Sequence, residues 1–211
     1  MHRRTLLALA AALPLPALPR AASAAAFSAQ DEADIARVQA YLNTLHTLKA
    51  RFMQVAPDGS VTQGVAWLER PGRLRFQYDP PSPLLLVAGN GLFIFHDSEL
   101  HQTTNLPLSA TPLGLLLRDH LKLSGDVTVT RVSRLPGQLQ VTLVRTHSPS
   151  DGSLTLVFTD PPLALRQWSV VNAQRQTTTV TLYNVETGGT FDQNLFVFVP
   201  HTAGPGNGGG G

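Results

Sequence analysis

From Ala50 onward the hydrophobic period of this chain is two, and short runs with that period recur as far as Val199, each closed by a turn signal. Alternate side chains of such a run point to opposite faces of an extended backbone, which limits the fold more than any other feature here. Ala50, Phe52 and Gln54 alternate with Lys49, Arg51 and Met53, and Asp58-Gly59 marks a hairpin before Val61, Val65 and Trp67 on one face. Pro71-Gly72 turns the chain into Leu74, Phe76 and Tyr78, and Pro80-Pro81-Ser82-Pro83 breaks it. Leu84 to Val87 then resumes the pattern, and Asn90-Gly91 leads into Leu92 to Phe95. Further runs lie at 127–132, 139–145, 154–158, 165–171, 177–183 and 195–199. About eleven strands at this spacing predict a mainly β protein with some α, built on a large antiparallel sheet or barrel.

Two stretches keep a helical period instead. Ser28, three residues before Asp31, caps a predicted helix carrying Ile35, Val38, Tyr41, Leu42, Leu45 and Leu48. Thr111-Pro112 opens a second, with Leu113, Leu116, Leu117 and Leu121 on one side. No shift of composition divides residues 27–200, so one domain is expected there. The ending 201–211, rich in glycine, buries nothing and is expected to be disordered.

The start of the chain has the three parts of an export signal: His2, Arg3 and Arg4, an apolar stretch from Thr5 to Leu18, and Ala22-Ser23-Ala24 as a cleavage site. Residues 1–26 are therefore expected to be removed, by the general or the twin-arginine route, leaving a periplasmic protein. That removal changes the charge argument. It takes away three of the 16 Lys and Arg residues and none of the 14 Asp and Glu, leaving a net charge of −1. A balanced chain gives no footing for phosphate-backbone binding, so no nucleic acid is expected as a partner. With no cysteine, the chain has neither a disulfide nor a thiol to acylate.

No catalytic pattern emerges. There is no glycine-flanked nucleophilic serine, no phosphate-cradling loop, and Gly89-Asn90-Gly91 lacks the remainder of a dinucleotide fingerprint. His96 and His101, the tightest histidine pair, are separated by an odd number of residues and point to opposite faces of a strand, so a solvated hairpin tip is expected rather than a metal site. No cofactor, no metal and no enzymatic activity are expected. What the sequence does offer is a surplus of inward apolar side chains: Phe52, Trp67, Leu74, Phe76, Leu86, Phe93, Phe95, Leu106 and Leu108. A curled sheet must cover that face with side chains, helices or a ligand. An apolar hollow under a helix with one greasy side suits acyl chains.

The stretch from Gly64 to Tyr78 (Gly-Val-Ala-Trp-Leu-Glu-Arg-Pro-Gly-Arg-Leu-Arg-Phe-Gln-Tyr), followed by Pro80, Leu86-Val87, Asn90-Gly91 and Phe93-Ile94-Phe95, resembles the outer-membrane lipoprotein carrier family, LolA. Phe52 and Gln54 match that family's first strand, Thr111-Pro112 and Leu115-Leu116 its second helix, and Phe196 to Pro200 its last strand. The resemblance implies an unclosed antiparallel half-barrel with a helical lid over an apolar cavity. It implies a monomeric periplasmic chaperone that takes acylated lipoproteins from an inner-membrane lipoprotein-releasing ABC transporter and delivers them to an outer-membrane acceptor. The family's lid-latching arginine falls on Arg70, beside Pro71, and the acyl-chain cavity on Phe52, Trp67, Leu74, Phe76, Leu86, Phe93, Phe95, Leu113 and Leu116. Leu74 stands where many members have an aromatic residue near the cavity mouth. Carriage of another amphiphile, such as a glycolipid, or sensing of lipoproteins on the same fold are the alternatives.

Overall fold

The computed structural model describes residues 26–199. The expected leader, save Ala26, and the expected tail lie outside them. Helix α1 (Ala29–Thr44) starts where the sequence places it: the Ser28 hydroxyl accepts from the Asp31 amide at 3.1 Å, and the Asp31 carboxylate accepts from the Ser28 amide at 3.0 Å. Each side chain satisfies an amide that the first turn leaves free. Asp34, Val38 and Leu42 recur every four residues and form the buried stripe of the helix.

Eleven strands follow: β1 (Thr47–Val55), β2 (Val61–Glu69), β3 (Arg73–Tyr78), β4 (Leu84–Gly89), β5 (Leu92–Asp97), β6 (Gln102–Pro107), β7 (Val127–Leu135), β8 (Gln138–Arg145), β9 (Gly152–Thr159), β10 (Ala164–Asn172) and β11 (Thr177–Thr187). They form one sheet in the order β6-β5-β4-β3-β2-β1-β11-β10-β9-β8-β7, with every neighbouring pair antiparallel. Two meanders are thus joined by the β1–β11 ladder, while β6 and β7 are edges that do not pair. The half-barrel is unclosed along that seam. The chain passes from β6 to β7 through two short 310 turns, Leu108–Ala110 and Pro112–Leu117, here called the lid segment.

The inner face follows from register. Phe52 opposes Gly64, Ala66 opposes Phe76, Leu74 opposes Ala88, and Ala88 opposes Phe93. All of these are buried. With Leu139, Val141, Leu143, Leu154, Leu156 and Phe158 from the other meander they make one continuous core. Gly64 is required at its position, because a Cβ there would lie 2.1 Å from the Gln77 carbonyl oxygen and 2.7 Å from the Phe52 ring.

Two expectations are corrected. Residues 195–199 are not a strand: Gln193–Phe196 is a 310 turn and the chain beyond it is irregular. β11 is paired on both sides, so the chain leaving it has no free edge to join. It crosses the outer face of the first meander instead. Arg75 donates to the Leu195 carbonyl at 3.1 Å, the Phe196 backbone closes on Gly89, and the Phe198 ring lies 5.0 Å from that of His96. The count of eleven is made up by β6, whose Gln-Thr-Thr-Asn run has no apolar alternation to reveal it. The second predicted helix is the short 310 helix Pro112–Leu117, capped by the Thr111 hydroxyl, which accepts from the Gly114 amide at 3.0 Å. Leu121 lies beyond the turn yet is buried, held by its backbone to Asn43.

Candidate functional site

Arg70 follows β2 directly, at the turn Pro71-Gly72, and its side chain runs inward rather than out to solvent, leaving 7% of the residue exposed. Its Nη1 donates to the Leu42 carbonyl of α1 at 2.5 Å and its Nε to the Leu116 carbonyl of the lid segment at 2.6 Å. One guanidinium therefore ties the helix, the lid and the sheet together. Leu42 is in the last turn of α1, where carbonyls lack helical partners and the helix dipole favours a cation. Among the described residues Nη2 is buried without a partner, and no carboxylate pairs with the group. Burial accordingly pushes the Arg70 pKa down from its ordinary value, with Asp119 acting weakly in the other direction. Backbone ties reinforce the latch: the Arg70 amide donates to His46 and the Gly72 amide to Leu117, both at 2.8 Å.

Beneath the guanidinium lies a small apolar space bounded by Leu45, Leu68, Leu74, Phe76, Leu116 and Trp168 among others. Its volume is about 10 Å³, roughly what a single water needs. Beneath Arg70 the interior is filled by side chains.

Of the residues expected to line the cavity, Leu74, Phe76, Leu113 and Leu116 border this space together with Arg70. Phe52 is buried behind them, its ring 4.7 Å from Phe76 and 5.1 Å from Tyr78. Phe93 is buried further along the inner face, Leu86 is half-buried, and Phe95 is 38% exposed toward the open edge. Trp67 is a correction. It opposes Lys49 and Arg75 and stands on the outer face, because Gly64, Ala66 and Leu68 take the inward positions of β2.

Trp168, Leu42, Leu45 and Leu182 border the space and were not among the expected residues. Leu42 and Leu45 belonged to the predicted helix, but nothing in its period says which carbonyl or side chain meets the sheet. Trp168 is hidden by an irregularity in β10 between Leu165 and Gln167, which brings Leu165 and Trp168 to the same face although strict alternation separates them.

α1 is also held at its far end. Asp34, almost fully buried, accepts from Arg134 Nε of β7 at 2.6 Å and from Arg37 Nη1 at 2.7 Å, while Arg134 also pairs with Asp31 and Arg37 with Asp160. Burial pushes the Asp34 carboxyl up, but the hydrogen bonds from Arg134, Gln30 and Arg37 outweigh it and hold it below its ordinary value. Asn43 exchanges two hydrogen bonds with Leu121, and Gln39 accepts from the Leu123 amide, each at 2.9 Å. The helix is thus tied to β7 and to the loop that follows the lid segment, while the lid segment is held by Arg70 and Gly72, by its Leu108 amide, which donates to the Gly91 carbonyl at 2.8 Å, and by its Ala110 carbonyl, which accepts from Arg145 at 3.5 Å.

Among the described residues no helix is long and apolar enough to cross a membrane, and no group of three or more His, Cys, Asp or Glu could hold a metal ion. His96 bonds Thr103 across the β5–β6 ladder at 3.0 Å.

The fold is an unclosed antiparallel β half-barrel whose apolar concave face is partly covered by a short segment that one buried arginine holds. The chain belongs to the outer membrane lipoprotein carrier protein LolA family, whose sequence profile matches residues 43–199. An outer-membrane lipoprotein carrier protein of Methylococcus capsulatus is 28% identical over 173 residues, covering 78% of this chain and 82% of that protein. One of Pseudomonas paraeruginosa is 35% identical over 111 residues, 48% of this chain, and that match spans about half (53%) of the Pseudomonas protein. Among solved structures, a LolA superfamily protein of Nitrosomonas europaea aligns over 78% of this chain and 97% of its own, at 8% identity and a TM-score of 0.42.

Proposed function

We propose that the protein is a periplasmic carrier that hides the acyl chains of lipoproteins on their way from an inner-membrane ABC-type release complex to the outer membrane. The observation that carries the reading is the Arg70 latch. Transfer of an acyl chain to water costs about 0.8 kcal/mol per CH₂, so a carrier must enclose the chains. It must also give them up. A latch that re-forms when cargo leaves opposes holding, and two charge-assisted hydrogen bonds at 2.5 and 2.6 Å are suited to that task. The space beneath the latch is about 10 Å³, too small for an acyl chain until the lid segment moves. Family membership supports the cargo class, and the matched carriers bear the name of that activity.

The test adds the mature protein to inner-membrane vesicles that contain a triacylated lipoprotein, its release complex and ATP. Lipoprotein should appear in the supernatant co-eluting with the protein as a one-to-one complex. Release no greater than without the protein would overturn the reading.

A further inference from the structure

The sheet ends in two edge strands, β6 and β7, and they differ. β7 is interrupted by an irregularity between Val129 and Arg131, and its Arg134 is tied to α1 through Asp31 and Asp34. Bulges, charges and a covering helix are the usual means of keeping a sheet edge from pairing. β6 has none of them: its residues are all exposed, none is charged, and its ladder with β5 runs without interruption.

The direction of the free groups on β6 follows from one hydrogen bond. The Leu108 amide donates to the Gly91 carbonyl at 2.8 Å, one step beyond the Leu92–Pro107 pair. In an antiparallel ladder the main-chain groups of alternate residues point the same way. Gln102, Thr104 and Leu106 therefore direct theirs to β5, and Thr103, Asn105 and Pro107 turn theirs to the open side. Pro107 has no N–H to offer. Among the described residues the edge presents the Thr103 and Asn105 amides as donors and the carbonyls of Thr103, Asn105 and Pro107 as acceptors.

The complement of such an edge is an extended main chain. A second copy of this chain would pair only Thr103 and Asn105, whereas a stable interface takes roughly 20–30 residues a side. A peptide held by other means needs no large interface, because a tether raises its local concentration to about millimolar. The edge also adjoins the apolar interior. Leu106, 49% exposed, and Phe95 stand on the same face as the buried Phe93.

We propose that the free edge of β6 pairs with an extended, uncharged stretch of polypeptide, the part of the cargo that follows its acylated residue. The inference rests on the carrier reading: with acyl chains in the interior, the peptide joined to them leaves across an open edge, and β6 is the edge not tied to α1. Gln102, Thr103, Thr104 and Asn105 match a neutral polar segment and give a charged one no partner. The added strand lies beside Leu106, so its inward side chains continue the apolar face.

The experiment follows amide hydrogen exchange by NMR in the mature wild-type protein. The probe is a dipalmitoylglyceryl-cysteine continued by about six residues of alternating serine and threonine, a usual strand length. In the free protein the Thr103 and Asn105 amides should exchange fast, and those of Thr104 and Leu106 more slowly. Loading should slow Thr103 and Asn105 by about tenfold or more. The same lipopeptide with every peptide amide N-methylated should load and leave both fast, since it covers the edge without pairing. Equal slowing by the methylated probe would overturn the proposal. So would slow exchange of Thr103 and Asn105 in the free protein, which dilution relieves if a second copy covers the edge and not if the chain's own tail does. The unacylated peptide at millimolar concentration separates the two readings. Protection of Thr103 and Asn105 by it, with no loading of the lipopeptide, removes the carrier reading and keeps the pairing edge, whereas loading without protection removes the edge and keeps the carrier.

Discussion

Replacing Arg70 by leucine isolates the latch from the rest of the fold. In the closed state the guanidinium makes two hydrogen bonds to carbonyls, each worth about 1.5–3 kcal/mol as a charged donor. Against this stands the cost of burying a cation with no carboxylate partner, several kcal/mol. The two nearly offset, so the latch contributes little to overall stability. What the substitution changes is the balance between closed and open. Leu42 keeps an acceptor role through the Leu45 amide at 3.3 Å, but the Leu116 carbonyl loses its donor in a buried site. That costs the closed form about 1–3 kcal/mol. In the loaded form the lid is displaced and nothing comparable is lost. The preference for expelling cargo should fall by the same amount, about 5- to 150-fold. R70L should accordingly load as well as wild type or better, and pass lipoprotein to acceptor vesicles more slowly by a factor in that range. Arg70→Lys keeps the charge but not the fork geometry and should fall between the two. Transfer rates for R70L within about twofold of wild type, in protein shown to be folded by its melting curve, would refute the reasoning.

Other predictions concern the frame that positions the latch. The hydrogen bonds from Arg134, Gln30 and Arg37 hold the Asp34 carboxyl below its ordinary value of 3.8, so its contribution to stability is complete above that pH and is lost as pH falls through the lower folded-state value. Thermal melting across that acid range should show a steep decline in wild type and a shallower one in Asp34→Asn; equal slopes would count against the tether. Gly64→Ala drives a methyl into the Gln77 carbonyl and the Phe52 ring and should destabilise by about 1–3 kcal/mol or more, measured by urea unfolding. Phe196→Ala removes the anchor of the chain that crosses the outer face of β3 and β4 and should cost about 3–5 kcal/mol, with the Arg70 latch geometry unaffected.

Much of the architecture was legible because a curled sheet with one buried face writes its alternation into the sequence. β2 to β5 could be read almost residue by residue from Gly64 to Phe95, and Ser28 with Asp31 announced the helix. Legibility failed where the physics is not local. β6 is polar throughout and is a strand because β5 pairs with it. Residues 195–199 have a strand's composition, yet topology denies them an edge. The alternation puts Trp67 on one face with Val61 and Val65 but does not say which face is inner; register decides that, and Gly64 and Ala66 claim the inside of β2 by fitting beneath Phe52 and Phe76. The sequence singles out Arg70 only through the family resemblance of its surrounding motif. Its acceptors Leu42 and Leu116 are main-chain groups, which no side-chain pattern can mark.

The central claim is that the protein encloses acyl chains of a polypeptide cargo. Native mass spectrometry of R70L recovered from the periplasm, where slowed release should let loaded protein accumulate, measures this directly. The account predicts a one-to-one complex with a di- or triacylated polypeptide, more abundant than in wild type. Protein that is empty, or that holds only free lipid, after the same recovery and after incubation with donor vesicles would contradict it.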